Sequence, residues 1–377
     1  MEASAFESRL KERTAYAQRV LKEHLPKEEG LQGRIMEAMN YSLLAGGKRL
    51  RPVLMYETYR MCGGEEADAI EHFMAAIEMI HTYSLVHDDL PAMDNDRYRR
   101  GKETTWYVYG ETLGILAGDG LLNYAFETAL GALRTPERGQ EADCGDFCRE
   151  RLTRMERAAA ALSVLAGKAG IYGMIGGQVV DVMAEKGFGQ AEKGFGQAEK
   201  GFGQDGKGFG QDGKGFGQAG KGFGQDGKGF GQDGKGFGQD GKDPGRTETV
   251  PAAERLLFIH AHKTAALIQA AMMIGAILAG ASKEQTAAIE KCAYNIGIAF
   301  QIQDDILDVT GDSKELGKST GSDAANRKET YVTWKGLEQS QADVEALSRE
   351  AAGILDGFSG EHEFLKQLIL TLIHRRK

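Results

Sequence analysis

The sequence predicts an all-α protein, a single helical domain interrupted by a glycine-rich insertion. Proline is rare, six residues in 377, so few positions forbid a helix. Apolar residues recur every three or four positions over long stretches, 70–85, 113–133, 151–175 and 284–307, the spacing that lines one face of an α-helix. The strict alternation of half-buried strands is nearly absent. Pro91, Pro136 and the Asp243-Pro244-Gly245 turn punctuate the helical runs.

Composition narrows the function. Hydrophobic residues make up 41% of the chain, enough for a sizeable core, and a net charge of −9 without a Lys/Arg-rich run argues against nucleic acid as a partner. The four cysteines, Cys62, Cys144, Cys148 and Cys292, are too few for a disulfide framework and lack the histidine or cysteine partners of a zinc site, so they read as free thiols of a reducing compartment. Residues 1–14 are charged and polar, without the pattern of a signal peptide, and a cytoplasmic location is expected. The nearly all-apolar stretch Thr264 to Ala281 contains Gln269, two glycines and many alanines; it reads as a buried core helix rather than a membrane span.

The middle of the chain is different. Eight copies of a seven-residue unit, EKGFGQA passing into GKGFGQD, fill 185–240. Each unit carries one Phe between two glycines and no second apolar position, so no coiled-coil seam forms. Glycine at this density opposes helix and strand alike. Lysines and carboxylates cancel along it, and the segment 185–241 is expected to be a flexible, solvated insertion between 1–184 and 242–377, which together form the one domain. A cohesive Phe-Gly segment is the functional alternative.

Chemistry concentrates in two acidic segments. In Gln301-Ile302-Gln303-Asp304-Asp305-Ile306-Leu307-Asp308, Asp304 and Asp308 share one helix face, among the apolar Ile298, Ile302, Ile306 and Leu307. Carboxylates in such a setting repel one another and call for a hard cation such as Mg²⁺, although a capping cluster or a solvated face is the plainer alternative. The first segment, Asp88-Asp89-Leu90-Pro91-Ala92-Met93-Asp94, has a six-residue spacing that a straight helix does not align; a helix end at Pro91 would swing Asp94 back toward Asp88. Cationic clusters accompany both: Lys48, Arg49 and Arg51 beside Gly46 and Gly47, then Arg99 and Arg100, then Lys263, and finally Lys318 and Lys328. Mg²⁺ held by few carboxylates shares its shell with substrate phosphates, and glycines let the backbone approach such a group.

GGKRLRP, HTYSLVHDDLPAMDNDRYRRG, GMIGGQVVD, HAHKTAAL and FQIQDDILDVTGD occur in this order and resemble the trans-isoprenyl diphosphate synthases, the bacterial farnesyl diphosphate synthases (geranyltranstransferases) in particular. The resemblance spans nearly the whole chain outside the repeat. It implies the isoprenoid synthase fold, about ten helices around a central cavity, and a homodimer. It implies three Mg²⁺ ions, with Mn²⁺ as an alternative, held by Asp88, Asp94 and Asp304 with Asp89, Asp305 and Asp308 in support. Arg99, Lys263 and Lys328 would hold the allylic diphosphate with Gln301 and Lys318 nearby, and Gly47, Lys48, Arg51, His81 and Arg100 the diphosphate of isopentenyl diphosphate. The Lys263 carbonyl, Thr264 and Gln301 would stabilise the allylic cation by their dipoles. Tyr83 and Ser84, five and four residues before Asp88, would set product length at C15, with geranyl and geranylgeranyl diphosphate as the alternative products. The family has a short loop where the repeat sits, so the insertion departs from the pattern.

Rival readings are weaker. A phosphohydrolase built on His87-Asp88 with His72 and His81 leaves the second acidic segment without a role. A terpene cyclase lacks GGKRLRP. A phosphate-binding loop at Gly317-Lys318-Ser319 fails because Asp312 stands where its first glycine belongs. A scaffold organised by the repeat explains neither acidic segment.

Overall fold

The computed structural model describes residues 2–134, 144–186, 251–311 and 329–373. The insertion from residue 187 onward, Lys318 and Lys328 lie outside the described residues. Helices α1 (Ala3–Glu23), α2 (Gly33–Leu43), α3 (Leu50–Met61) and α4 (Asp68–Asp88) open the chain. A two-residue ladder, Tyr98–Arg99 against Lys102–Glu103, precedes α5 (Thr105–Tyr109), α6 (Glu111–Gly131), α7 (Cys144–Ala169) and α8 (Met174–Lys186). After the insertion come α9 (Ala252–Ile259), a π-helical turn (His260–Ala265), α10 (Ala266–Ala279), α11 (Lys283–Thr310), α12 (Tyr331–Lys335), α13 (Leu337–Leu355) and α14 (Glu363–Ile373). The all-α expectation holds.

Helix α4 lies along α6, α10 runs among α3, α7 and α11, and α11 packs on α13. The centre of α4 is buried from Phe73 to Ile80, as is most of α10, which is why both read as apolar runs rather than amphipathic stripes. The one polar side chain buried in α10, Gln269, accepts a hydrogen bond from Lys168 of α7 at 3.0 Å, and Lys168 also pairs with Glu290 of α11. Left unpaired, that amide would cost about 1–3 kcal/mol. The stretch Ala252–Ala279 is long and apolar enough to cross a membrane, but it is mostly buried within the bundle, as expected of a core helix. A second such stretch, Cys148–Ala184, is broken by a turn.

That turn corrects one expectation. The apolar period over 151–175 suggests a single helix, yet α7 ends at Ala169 and α8 begins at Met174. Between them the Gly173 amide donates to the Gly170 carbonyl at 2.9 Å, closing a tight turn bounded by two glycines. α8 then continues through Glu185 and Lys186, so the first two residues of the repeat belong to a helix. Helix α11 starts on a capping box: Ser282 accepts from the Gln285 amide and Gln285 reaches back to the Ser282 amide. It carries the second acidic segment in its last turns.

Candidate active site

The first acidic segment lies at the C-terminal end of α4. The helix stops at Asp88, the Met93 and Asn95 amides bond to the Leu90 carbonyl, and Asn95 takes a left-handed φ of 56°. This fold-back brings the Asp94 amide to 2.9 Å from the Asp88 carbonyl oxygen, so the return of Asp94 expected from Pro91 takes place. The Asp88 carboxylate accepts from Gln178 Nε2 of α8 at 2.8 Å. Burial pushes its pKa up to about 6; Lys263 and Arg99 pull against this, while Asp94 and Asp181 add to it. Asp89 is more deeply buried and accepts from Arg99 Nε at 2.5 Å, yet its pKa also rises to about 6, because burial outweighs the guanidinium.

Lys263 and Thr264 sit in the π-helical turn, where an extra residue widens the helix. Lys263 Nζ pairs with the buried Asp181 of α8, and Thr264 Oγ1 donates to Gln301 Oε1 of α11 at 2.9 Å. Helix α8 passes so close that a Cβ on Gly177 would lie 2.2 Å from the Lys263 nitrogen. Gln301 is one turn before Asp304 on α11, so Asp88, Lys263, Thr264 and Gln301 form a chain of neighbours from the first acidic segment to the second. Asp304 and Asp308 are half-buried on α11. Asp305 is buried: it accepts the Tyr331 amide at 2.8 Å, at the start of α12, and lies 3.8 Å from His260 Nε2.

The cationic residues gather at a second locus. Gly46 and Gly47 have φ of 97° and 134°, and a Cβ on Gly47 would meet the Arg100 guanidinium at 2.5 Å. Arg100 Nη1 donates to the Gly46 carbonyl. Arg49 is buried and fully engaged, by Glu78 at 2.6 Å, the Leu43 carbonyl and Gln18. Arg51 differs: its buried Nε has no hydrogen-bond partner among the described residues. Burial lowers its pKa, Glu78 opposes, and Arg100 adds to the lowering. Burial, then Arg51, Arg100, Arg49 and Arg99, hold His81 well below the ordinary histidine value, favouring the neutral imidazole. With Glu78 already paired to Arg49, the locus carries surplus positive charge suited to an anion. Lys48 is exposed beside it.

Tyr83 is buried on α4 with its ring T-shaped against His87, centroids 5.9 Å apart, and its pKa is pushed up to about 12 by burial and by Asp88. Ser84 donates to the His81 carbonyl at 2.9 Å. The histidines of the phosphohydrolase reading are scattered: His72 meets His24 edge to face, His81 lies among the arginines, and His87 faces α6.

Three features escape single-residue reasoning: Gln178, Asp181 and the π turn. The GMIGGQVVD motif contains the first two, but a lone glutamine or aspartate has no distinguishing signal until α8 is placed against α4 and the π turn.

Desolvated carboxylates, a lysine paired with Asp181 and a separate arginine cluster form an arrangement suited to metal ions and diphosphate groups, and comparison with known proteins gives its class as prenyltransferase. The polyprenyl synthetase family profile matches residues 32–190 and 235–363, and the break between these blocks falls inside the repeat. The chain is 38% identical over 328 residues to large subunit 1 of the chloroplastic heterodimeric geranylgeranyl pyrophosphate synthase of Arabidopsis thaliana, covering 87% of this chain and 68% of that protein. It is 35% identical over 317 residues to a geranylgeranyl diphosphate synthase of Cyanophora paradoxa, covering 84% and 79%. The crystal structure of an apo FPP/GFPP synthase from Zymomonas mobilis matches with TM-score 0.68 and 26% identity over 99% of this chain and 100% of that one. A putative farnesyl-diphosphate synthase from Marinomonas sp. MED121 matches at 0.63 and 27%, over 99% of each. The chain belongs to the polyprenyl synthetase family and is a prenyl diphosphate synthase.

Proposed function

We propose that this enzyme condenses isopentenyl diphosphate with dimethylallyl or geranyl diphosphate, head to tail, releasing diphosphate and giving (2E,6E)-farnesyl diphosphate. The observation that carries the reading is Asp88, a carboxylate raised to about 6 by burial and lying among Lys263, Asp94 and Asp181. Such a group gains from a divalent cation, and Asp88, Asp94, Asp304 and Asp308, with Asp89 beside them, are hard oxygen donors suited to Mg²⁺. Three ions fit the family pattern, and Mn²⁺ would serve in their place. Asp305, engaged with the Tyr331 amide, supports the segment rather than facing an ion. Among the described residues no three histidine, cysteine or carboxylate side chains are grouped to hold a metal ion by themselves. Bound there, the ions would neutralise charge on the departing diphosphate.

The protein's own groups do the rest. Lys263 and Arg99 exchange their carboxylate partners for diphosphate oxygens, joined by Lys318 and Lys328. The Lys263 carbonyl, Thr264 and Gln301 turn dipoles toward the allylic cation. Gly47, Lys48, Arg51, His81 and Arg100 hold isopentenyl diphosphate, with neutral His81 donating a hydrogen bond. The apolar walls keep water from the cation, and the final proton leaves on the released diphosphate.

Buried Tyr83 supports a C15 product. A C20 product is the second reading, favoured by the geranylgeranyl synthases among the relatives. A homodimer is supported by exposed Ile115, Leu116 and Leu130, which share one face of α6. The thiols of Cys62 and Cys292 suit a reducing compartment, the cytoplasm in our reading. The test is incubation with labelled isopentenyl diphosphate and each allylic diphosphate in Mg²⁺. Chain-elongated product that disappears with EDTA and in Asp304→Ala supports the reading; diphosphate release without elongation overturns it.

A further inference from the structure

His87 immediately precedes the first acidic pair, yet its ring does not face the acidic site. Nε2 lies 3.0 Å from the Ile115 carbonyl of α6 and 3.7 Å from Asp119. It reaches that carbonyl only because position 118 has no side chain: a Cβ on Gly118 would lie 2.1 Å from His87 Nε2 and 2.2 Å from Cδ2. One helical turn back on α4, the Tyr83 ring meets the same imidazole at 5.9 Å and 85°, the edge-to-face arrangement that aromatic pairs favour. Tyr83 is therefore not held by α4 alone. Its ring is braced by His87, and His87 is braced by the backbone of α6.

The geometry points to His87 as a specificity-positioning residue: seated on the Ile115 carbonyl in the space left by Gly118, its ring fixes Tyr83 and so limits how long a product the cavity accepts. This rests on the reading of Tyr83 as the product-length wall. A bare α-carbon at position 118 and an imidazole at position 87 act as one device, since either alone leaves the Tyr83 ring free to swing. Removing the brace does not open the wall completely, as Tyr83→Ser does; it lowers the cost of displacing the ring when a longer chain pushes on it.

The measurement is the C20:C15 product ratio at fixed substrate ratio, with total turnover and melting temperature recorded for each variant. His87→Ala raises the ratio about two- to tenfold, the worth of one edge-to-face contact. His87→Gln, whose amide can still bond the Ile115 carbonyl but offers no ring, raises it in the same direction and decides the matter if the alanine variant fails to fold. Gly118→Ala alters the ratio in the parent, whereas in a His87→Ala background it has no further effect, because the atom it strikes is gone. A merely structural defect, or damage to the adjacent carboxylates, slows both condensations and leaves the ratio unmoved. If Tyr83→Ser leaves the product spectrum unchanged, the wall itself has been misassigned. If Tyr83→Ser lengthens the product while both His87 variants keep the parent ratio, the brace is refuted and the wall stands.

Discussion

Gln178 of α8 donates from Nε2 to the Oδ1 of Asp88 at the end of α4, at 2.8 Å, across 90 residues of chain. A carboxylate with a raised pKa thus has one oxygen already oriented by a neutral donor. Hydrogen bonds to charged groups are worth about 1.5–3 kcal/mol. Gln178→Leu is therefore expected to weaken Mg²⁺ activation about ten- to a hundredfold, with a smaller loss of turnover at saturating Mg²⁺. Titrating activity against Mg²⁺ checks this; an unchanged activation constant would show that the bond orients nothing that matters.

The acidic pair also predicts a pH signature. Asp88 and Asp89 have folded pKa values of about 6 against an ordinary 3.8. In metal-free protein they bind protons more tightly folded than unfolded, so the stability they contribute is full below the unfolded value and is lost as pH rises through about 6. Mg²⁺ with inorganic diphosphate competes with those protons. The rise in Tm on adding both is expected to be larger at pH about 7.5 than at about 5.5, and equal rises would remove these carboxylates from the binding site.

Arg49 and Arg51 offer a contrast at the start of α3. Arg49 is buried against Glu78, and truncating one partner of such a pair costs about 3–5 kcal/mol. Arg49→Ala is expected to lower Tm sharply. Arg51→Ala removes a guanidinium whose Nε has no partner among the described residues. It is expected to hold Tm nearly constant and raise the KM for isopentenyl diphosphate tenfold or more, as loss of a charge-assisted contact does. Thermal melts beside steady-state kinetics separate the two.

Much of this was legible in the sequence, for physical reasons. Pro91 cannot continue a helix, so the return of Asp94 to Asp88 follows from one residue. The apolar setting of Asp304 and Asp308 marks their face on α11. The turn at Gly170–Gly173 was not legible, since the apolar period runs straight through it. Nor was the π turn, because His260-Ala261-His262-Lys263-Thr264-Ala265 suits an ordinary helix and only tertiary packing selects the wider form. Gln178, Asp181 and the brace between His87 and Gly118 depend on contacts between distant helices, which spacing along one helix does not encode.

Deleting 185–240 is expected to leave kcat/KM within about twofold of the parent, since lengthening a chain connection changes closure entropy only slowly. The family match breaks between 190 and 235, within this segment. Kinetics of the deletion variant decide it, and a large fall would give the repeat a part in turnover.

The widened turn at His260–Ala265 sets two selective pressures against each other. It is equivalent to one surplus residue in an otherwise continuous helix, so α9 and α10 are out of phase by about 100°. Removing Ala265 would restore the regular ladder, while turning Lys263 and Thr264 relative to α10 and away from Asp181 and Gln301. Variants enriched for heat resistance alone would tend to close the turn; variants enriched for turnover would keep the surplus residue. On the roles proposed for Lys263 and Thr264, the bulge is a place where thermal robustness and chemistry would trade against each other.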